Sequence, residues 1–171
     1  MNVTEVLNPK TIVTHLNADS KAEVLEILAD RFLDAEIIKD KETYIKDVYV
    51  REAVGETGIG NYIAIPHGKS ETVVTPGVAI AILDHEIAWE SLDGTGAKIV
   101  VLFAVGADDA GAQEHLKLLA MFSKRLGDDA VIKRLLQADT VEEVMQAFTE
   151  ESEAVEAQEE AEIDLDEITI M

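Results

Sequence analysis

His67 stands between Pro66 and Gly68, at the end of a short apolar run from Tyr62 to Ile65. A strand that stops on a histidine holds an imidazole at the rim of a core, fixed by the backbone and open to solvent. With a reference pKa of about 6.5, such a ring is mostly unprotonated near neutrality and can act as a nucleophile or base. Pro66 fixes its own φ and biases Ile65 toward extended geometry, which constrains how the chain delivers the ring. Gly68 removes a side chain where a ligand or a partner's backbone would approach. Upstream, Arg51 is one of few bases in an acidic chain. Its planar fork suits a phosphate, and its charge suits a helix C-terminus. Gly55, Gly58 and Gly60 lie between Arg51 and His67 and let the chain fold back.

Other candidates have plainer readings. His115 falls one helical turn before Leu119, a position that by itself makes it a hydrogen-bonded histidine at a core edge. His15 and His85 sit in turn-like polar surroundings and read as surface residues. Glu114 and the Asp108-Asp109 pair read as solvated faces, and Trp89 as a core anchor. No His-Glu-x-x-His pair signals zinc, and a site built from His67, His115 and a carboxylate has no spacing behind it. There is no phosphate-binding Gly-x-x-x-x-Gly-Lys loop, and Gly58-Ile-Gly60 is too short for a dinucleotide fingerprint. No Gly-x-Ser-x-Gly elbow occurs. What is left is a histidine nucleophile without a metal, a thiol or a nucleotide loop.

The elements that position these groups follow from periodicity. Val3 to Leu7 and Ile12 to Leu16 read as short strand or loop segments around the Asn8-Pro9 turn. Ser20 with Glu23 forms a capping box for a helix carrying Val24, Leu25, Leu28, Phe32 and Leu33. A second helix runs from about Asp40 to Arg51, with Tyr44, Ile45, Val48 and Tyr49 as its buried stripe. Val78 to Leu83 is apolar on both faces and reads as a doubly covered strand, ended by the polar break Asp84-His85-Glu86. Lys98 to Val105 is the most continuous strand signal and belongs at the sheet's centre. After a loop from Gly106 to Gly111, a helix from Ala112 to Leu126 turns Leu118, Leu119, Phe122 and Leu126 inward. Asp128-Asp129 opens a helix with Val131, Ile132, Leu135 and Leu136, and Thr140 with Glu143 caps a last one. The expected fold is an α/β three-layer sandwich, a mixed central sheet flanked by helices on both sides.

Composition narrows the function classes. The chain has 171 residues, 47% of them hydrophobic, enough for one domain with a proper core. Without cysteine there is no disulfide, thiolate metal site or cysteine nucleophile. No signal peptide or membrane-length apolar run is present, which predicts a soluble, cytoplasmic protein. The net charge of −21 disfavours nucleic acid. Ten of the acids lie in the stretch from Glu150 to Glu167, and removing those ten from −21 leaves −11. The extreme value therefore belongs to residues 150–171, expected as an acidic linker or tail, disordered or weakly helical, whose end (Ile163 to Met171) turns apolar again.

The motifs Arg51-Glu-Ala, Thr57-Gly-Ile-Gly60 and Ile63-Ala-Ile-Pro-His67-Gly-Lys69 together resemble the active-site signature of one family. It is the enzyme IIA domains of the bacterial phosphoenolpyruvate:sugar phosphotransferase system, fructose–mannitol class. Trp89-Glu-Ser-Leu-Asp-Gly94, the strand to Phe103, and Glu114-His115-Leu-Lys-Leu-Leu-Ala120 are similar as well, so the resemblance spans residues 1–149. The wording at Trp89 to Gly94 is closer to the fructose subtype. The resemblance implies that His67 accepts a phosphoryl group from the carrier HPr, through Nε2. It would pass the group to a IIB domain, whose membrane IIC component takes up fructose or a related sugar. By the same resemblance His115 and Arg51 are active-site neighbours of the phosphate, and no metal or cofactor takes part. Tyr62 stands where members often carry a small residue such as glycine, a departure that would crowd the approach to His67. A regulatory, nitrogen-related IIA, phosphorylated at the same histidine but acting by binding other proteins, is the alternative. A metal hydrolase is a distant third.

Overall fold

The computed structural model describes residues 3–149; the acidic stretch 150–171 lies outside them. Six strands form one mixed sheet: β1 (Ile12–Leu16), β2 (Gly58–Gly60), β3 (Ile63–Ala64), β4 (His67–Lys69), β5 (Gly77–Ile87) and β6 (Ala97–Val105). The path is β1-β5-β6-β3-β2. β5 and β6 are antiparallel, while β1 on β5 and β3 on β6 are parallel. β4 also pairs β6 in parallel, further along the side that β3 occupies, so β3 and β4 are nearly one strand interrupted at Ile65-Pro66. Six helices cover the sheet: α1 (Val3–Val6), α2 (Lys21–Asp34), α3 (Lys41–Glu52), α4 (Asp109–Leu126), α5 (Asp129–Gln137) and α6 (Val141–Thr149).

Strand alternation sorts β6 between two cores. Ile99, Val101, Phe103 and Val105 meet Leu118, Phe122, Val131, Leu135 and Phe148 of α4–α6. Val100, Leu102 and Ala104 meet Val24, Leu28, Phe32, Tyr44 and Val48 of α2 and α3. β6 is buried from Ile99 onward, because both faces are covered and both neighbours are paired. The three-layer sandwich with a mixed sheet is thus present, with β6 at its centre as its apolar run implied.

Local departures from the sequence reading have local causes. Val3–Val6 is a single helical turn, not a strand, followed by a short 3₁₀ turn at Pro9–Thr11 that Asn8 caps through its side chain. β5 does not stop at Leu83. Asp84, His85 and Glu86 are exposed but remain in the strand, which extends to Ile87. α4 begins three residues early, because the Asp108 carboxylate accepts the Gly111 N–H at 2.7 Å and caps it. Gly111 is a packing glycine within this helix: a Cβ there would fall 1.9 Å from the Gly106 carbonyl oxygen. Leu33, Tyr49 and Leu136 are largely exposed, at the outer edges of their helical stripes.

Candidate active site

His67 opens β4, opposite Phe103 of β6. Its Nδ1 lies 3.0 Å from the carbonyl oxygen of Ile65. A carbonyl can only accept, so Nδ1 carries the proton and Nε2 keeps its lone pair. The residue is only 6% exposed, more enclosed than a strand-end histidine at a solvent rim would be. That burial is the main influence lowering its pKa; the bond to Ile65 opposes it, the positive field of Arg51 adds to it, and Glu52 opposes it weakly. The ring is therefore held neutral with a defined nucleophilic nitrogen.

His115, on α4, brings its ring to 4.5 Å from that of His67, centroid to centroid. Its Nε2 is buried and makes no hydrogen bond within the described protein. Burial, then the charges of His67, Lys69 and Arg51, lower its pKa to about 4. Arg51 occupies the last turn of α3, and its Nη1 donates to the Gly55 carbonyl at 3.1 Å. Lys69 follows His67 by two residues on the same strand, so it faces the same side of the sheet. The three residues singled out from the sequence thus gather at one site: two imidazoles in contact, with the field of Arg51 acting on both. Among the described residues no group of His, Cys, Asp and Glu is arranged to hold a metal ion, and no helix is long and apolar enough to cross a membrane.

Two expectations about this site are corrected. Gly68 does not clear space for a ligand. A Cβ there would lie 2.5 Å from Cε1 of Tyr44 and 2.8 Å from Cγ2 of Val48, so the glycine lets α3 pack against β4 on the face opposite His67. The Tyr44 hydroxyl, fully buried, donates to the Phe103 carbonyl at 2.7 Å and ties the same helix to β6. Nor does Tyr62 crowd His67. Asn61 and Tyr62, with φ of 55° and 65°, form the two-residue turn between β2 and β3. The Tyr62 carbonyl accepts from Lys98 and Ile99, whereas His67 pairs with Phe103. About 13 Å of strand separates the two positions. Tyr62 instead lines a cavity of about 350 Å³ with Ile132, Lys133 and Leu136 of α5.

Beneath the site lies a buried polar cluster that the sequence reading did not single out. Glu52, adjoining Arg51, accepts from Lys21 Nζ at 2.6 Å and from the Thr57 hydroxyl at 2.6 Å. Thr57 in turn accepts from Trp89 Nε1 at 3.0 Å, and Lys21 stands 4.9 Å above the indole ring. Glu52 and Thr57 belong to the same stretch as Arg51 and the glycines. Their signal was a carboxylate and a hydroxyl at fixed places in a segment that otherwise carries the chemistry. Trp89 is a core anchor as expected, but its N–H also joins this cluster.

Comparison with known proteins fits this arrangement. Residues 5–151 match the family model of the phosphoenolpyruvate-dependent sugar phosphotransferase system, EIIA 2. The chain belongs to this family. Among its EIIA relatives, the 2-O-alpha-mannosyl-D-glycerate-specific EIIABC component of Escherichia coli is 32% identical over 86% of the chain. The chain spans only 22% of that relative's length. The nitrogen regulatory protein of Escherichia coli is 30% identical over 88% of the chain and 91% of its own length. In fold, the EIIA chain is similar to that in a complex of enzyme IIA and phosphorylated enzyme IIB for mannitol from Escherichia coli. The TM-score there is 0.72 at 21% identity, covering 85% of this chain and 98% of that one.

Proposed function

We propose that the chain, through an EIIA domain at residues 1–149, is a phosphoryl carrier of a sugar phosphotransferase system, with His67 as the acceptor. The observation that carries this reading is the bond from His67 Nδ1 to the Ile65 carbonyl, which leaves Nε2 as the nucleophile. Nε2 forms a bond to phosphorus as the bond from phosphorus to the donor's nitrogen breaks. Nδ1 keeps its proton, and the Ile65 carbonyl stabilises the positive charge that the phosphorylated ring then carries. Phosphoryl transfer asks the protein for in-line positioning and for charge opposite the equatorial oxygens. Arg51 supplies that charge from α3, and His115 can donate an N–H from α4. The donor is phospho-HPr. The acceptor is a IIB domain, a reading supported by the fold shared with the mannitol IIA that is held in a complex with phosphorylated IIB. The sugar is fructose or a related one, supported by the wording of Trp89 to Gly94.

Incubation with phosphoenolpyruvate, enzyme I and HPr gives an acid-labile phosphoprotein that a cognate IIB discharges when sugar and IIC are present. A phosphoprotein that no IIB of a panel covering fructose, mannitol and mannosylglycerate systems discharges would instead favour the regulatory reading. That second reading draws support from the nitrogen regulatory relative, which the chain covers almost end to end.

A further inference from the structure

We propose that Thr57 is a positioning residue for His67, a role that rests on His67 being the phosphoryl acceptor. The path between them is continuous and made of short hydrogen bonds. The Thr57 hydroxyl is held from two sides, donating to Glu52 Oε1 at 2.6 Å and accepting from Trp89 Nε1 at 3.0 Å. Its main-chain carbonyl accepts the Ile65 N–H at 2.9 Å. The Ile65 carbonyl then accepts the His67 Nδ1 proton at 3.0 Å.

The need for such a brace follows from Pro66. The peptide between Ile65 and Pro66 has a carbonyl but no N–H, so it cannot be fixed by a donor of its own. Its plane is set from either side: by the Ile65 N–H on Thr57, and by the Pro66 carbonyl, which accepts from Phe103 N at 3.0 Å. The Thr57 side is thus one of the two anchors that fix where the acceptor for Nδ1 sits. Thr57 is 1% exposed, and Lys21 locks Glu52 in place at 2.6 Å, so little slack exists along the path. Because Glu52 adjoins Arg51, the same clamp fixes the helix end that brings the cation to the site. Thr57 touches neither phosphate nor ring. It acts by holding the peptide that selects the tautomer.

The test compares Thr57→Val, which is nearly isosteric but lacks the hydroxyl, with Thr57→Ser, which retains it. In ¹⁵N-labelled full-length protein, long-range ¹H–¹⁵N correlation reads which His67 nitrogen carries the proton, and uptake from phospho-HPr reads the rate. Thr57→Val moves His67 toward the Nε2–H form and slows uptake roughly 10- to 100-fold, the scale expected for sub-ångström misplacement of a nucleophile. Thr57→Ser keeps both close to the unsubstituted protein. An unchanged tautomer in Thr57→Val, whatever its rate, overturns the proposal, as does Thr57→Ser behaving like Thr57→Val. Should Thr57→Val not fold, Trp89→Phe removes the indole N–H, with part of the ring, from the clamp and leaves the Thr57 hydroxyl on Glu52. A smaller tautomer shift in the same direction supports the proposal, and none overturns it. If the unsubstituted protein takes no label on His67, the carrier reading fails, yet the tautomer spectrum still decides the role of Thr57.

Discussion

The imidazole of His67 lies 4.5 Å from that of His115, with their planes inclined at 48°. One ring comes from a strand beside the centre of the sheet and the other from a helix on its face. Both are kept neutral by burial and by cations nearby. In the proposed function His67 is the nucleophile and His115 a donor to the transferring group. His115→Ala therefore slows phosphoryl uptake roughly 100-fold, the scale for one lost donor to developing charge, while His67 remains the labelled residue. Single-turnover kinetics with phospho-HPr, alongside a melting curve to verify folding, measures this.

The titrations have definite signs. His67 and His115 have folded pKa values below the unfolded 6.5, so the unfolded chain binds more protons as pH falls. Their contribution to stability is full above pH 6.5 and is lost as pH falls through the folded values, for His115 at about 4. His15 has the opposite sign. Bonds to Asp84 and Asp139 raise its pKa, so its contribution is present below 6.5 and lost as pH rises through the folded value. NMR titration should find His115 turning over near 4, His67 below 6.5 and His15 above it. Arg51→Ala should move the His67 midpoint up, because the cation that disfavours protonation is gone. A His115 midpoint at 6.5 would mean that the ring is solvated and away from the site.

Gly68→Ala tests whether that glycine serves packing. The added methyl meets the Tyr44 ring and Val48 on the side away from His67. Overpacking of this kind costs about 1–3 kcal/mol, read from denaturant unfolding. An unchanged midpoint would show that α3 does not press on β4 as described.

Much of the fold was legible because each core face left its own period. The run Ile99 to Val105 announced a strand covered on both sides, and Ser20, Asp128 and Thr140 marked helix starts that their side chains do cap. What misled were residues whose tertiary role contradicts their local one. Gly111 looks like loop but packs inside a helix, and Asp84 to Glu86 look like a break but are exposed positions that continue β5 to Ile87. At the site, His67 and Arg51 were singled out by their neighbours and their chemistry, and the motif wording then named all three. Periodicity alone left His115 in the core. The clamp was not legible as a unit: Glu52 and Thr57 share the Arg51 stretch, but Lys21 and Trp89 lie far from it along the chain, and the four meet only after folding.

Tyr62 carries a cost that can be removed. Both residues of its turn have positive φ, a conformation that costs an L-residue about 1–2 kcal/mol and that glycine adopts freely. Its ring gains little in return, 40% exposed with the Lys98 ammonium 5.9 Å from its centroid. Tyr62→Gly should raise stability by about 1 kcal/mol and leave phosphoryl uptake unchanged, since the turn lies far along β3 from His67. Calorimetry and the uptake assay check the two halves separately.

The central claim is that Nε2 of His67 carries the phosphoryl group. Phosphorylating ¹⁵N-histidine-labelled protein and recording ³¹P–¹⁵N coupling tests it most directly. The account predicts a single phosphohistidine with phosphorus coupled to Nε2 of His67, absent in His67→Ala. Phosphorus on Nδ1, or label persisting in His67→Ala, would contradict it.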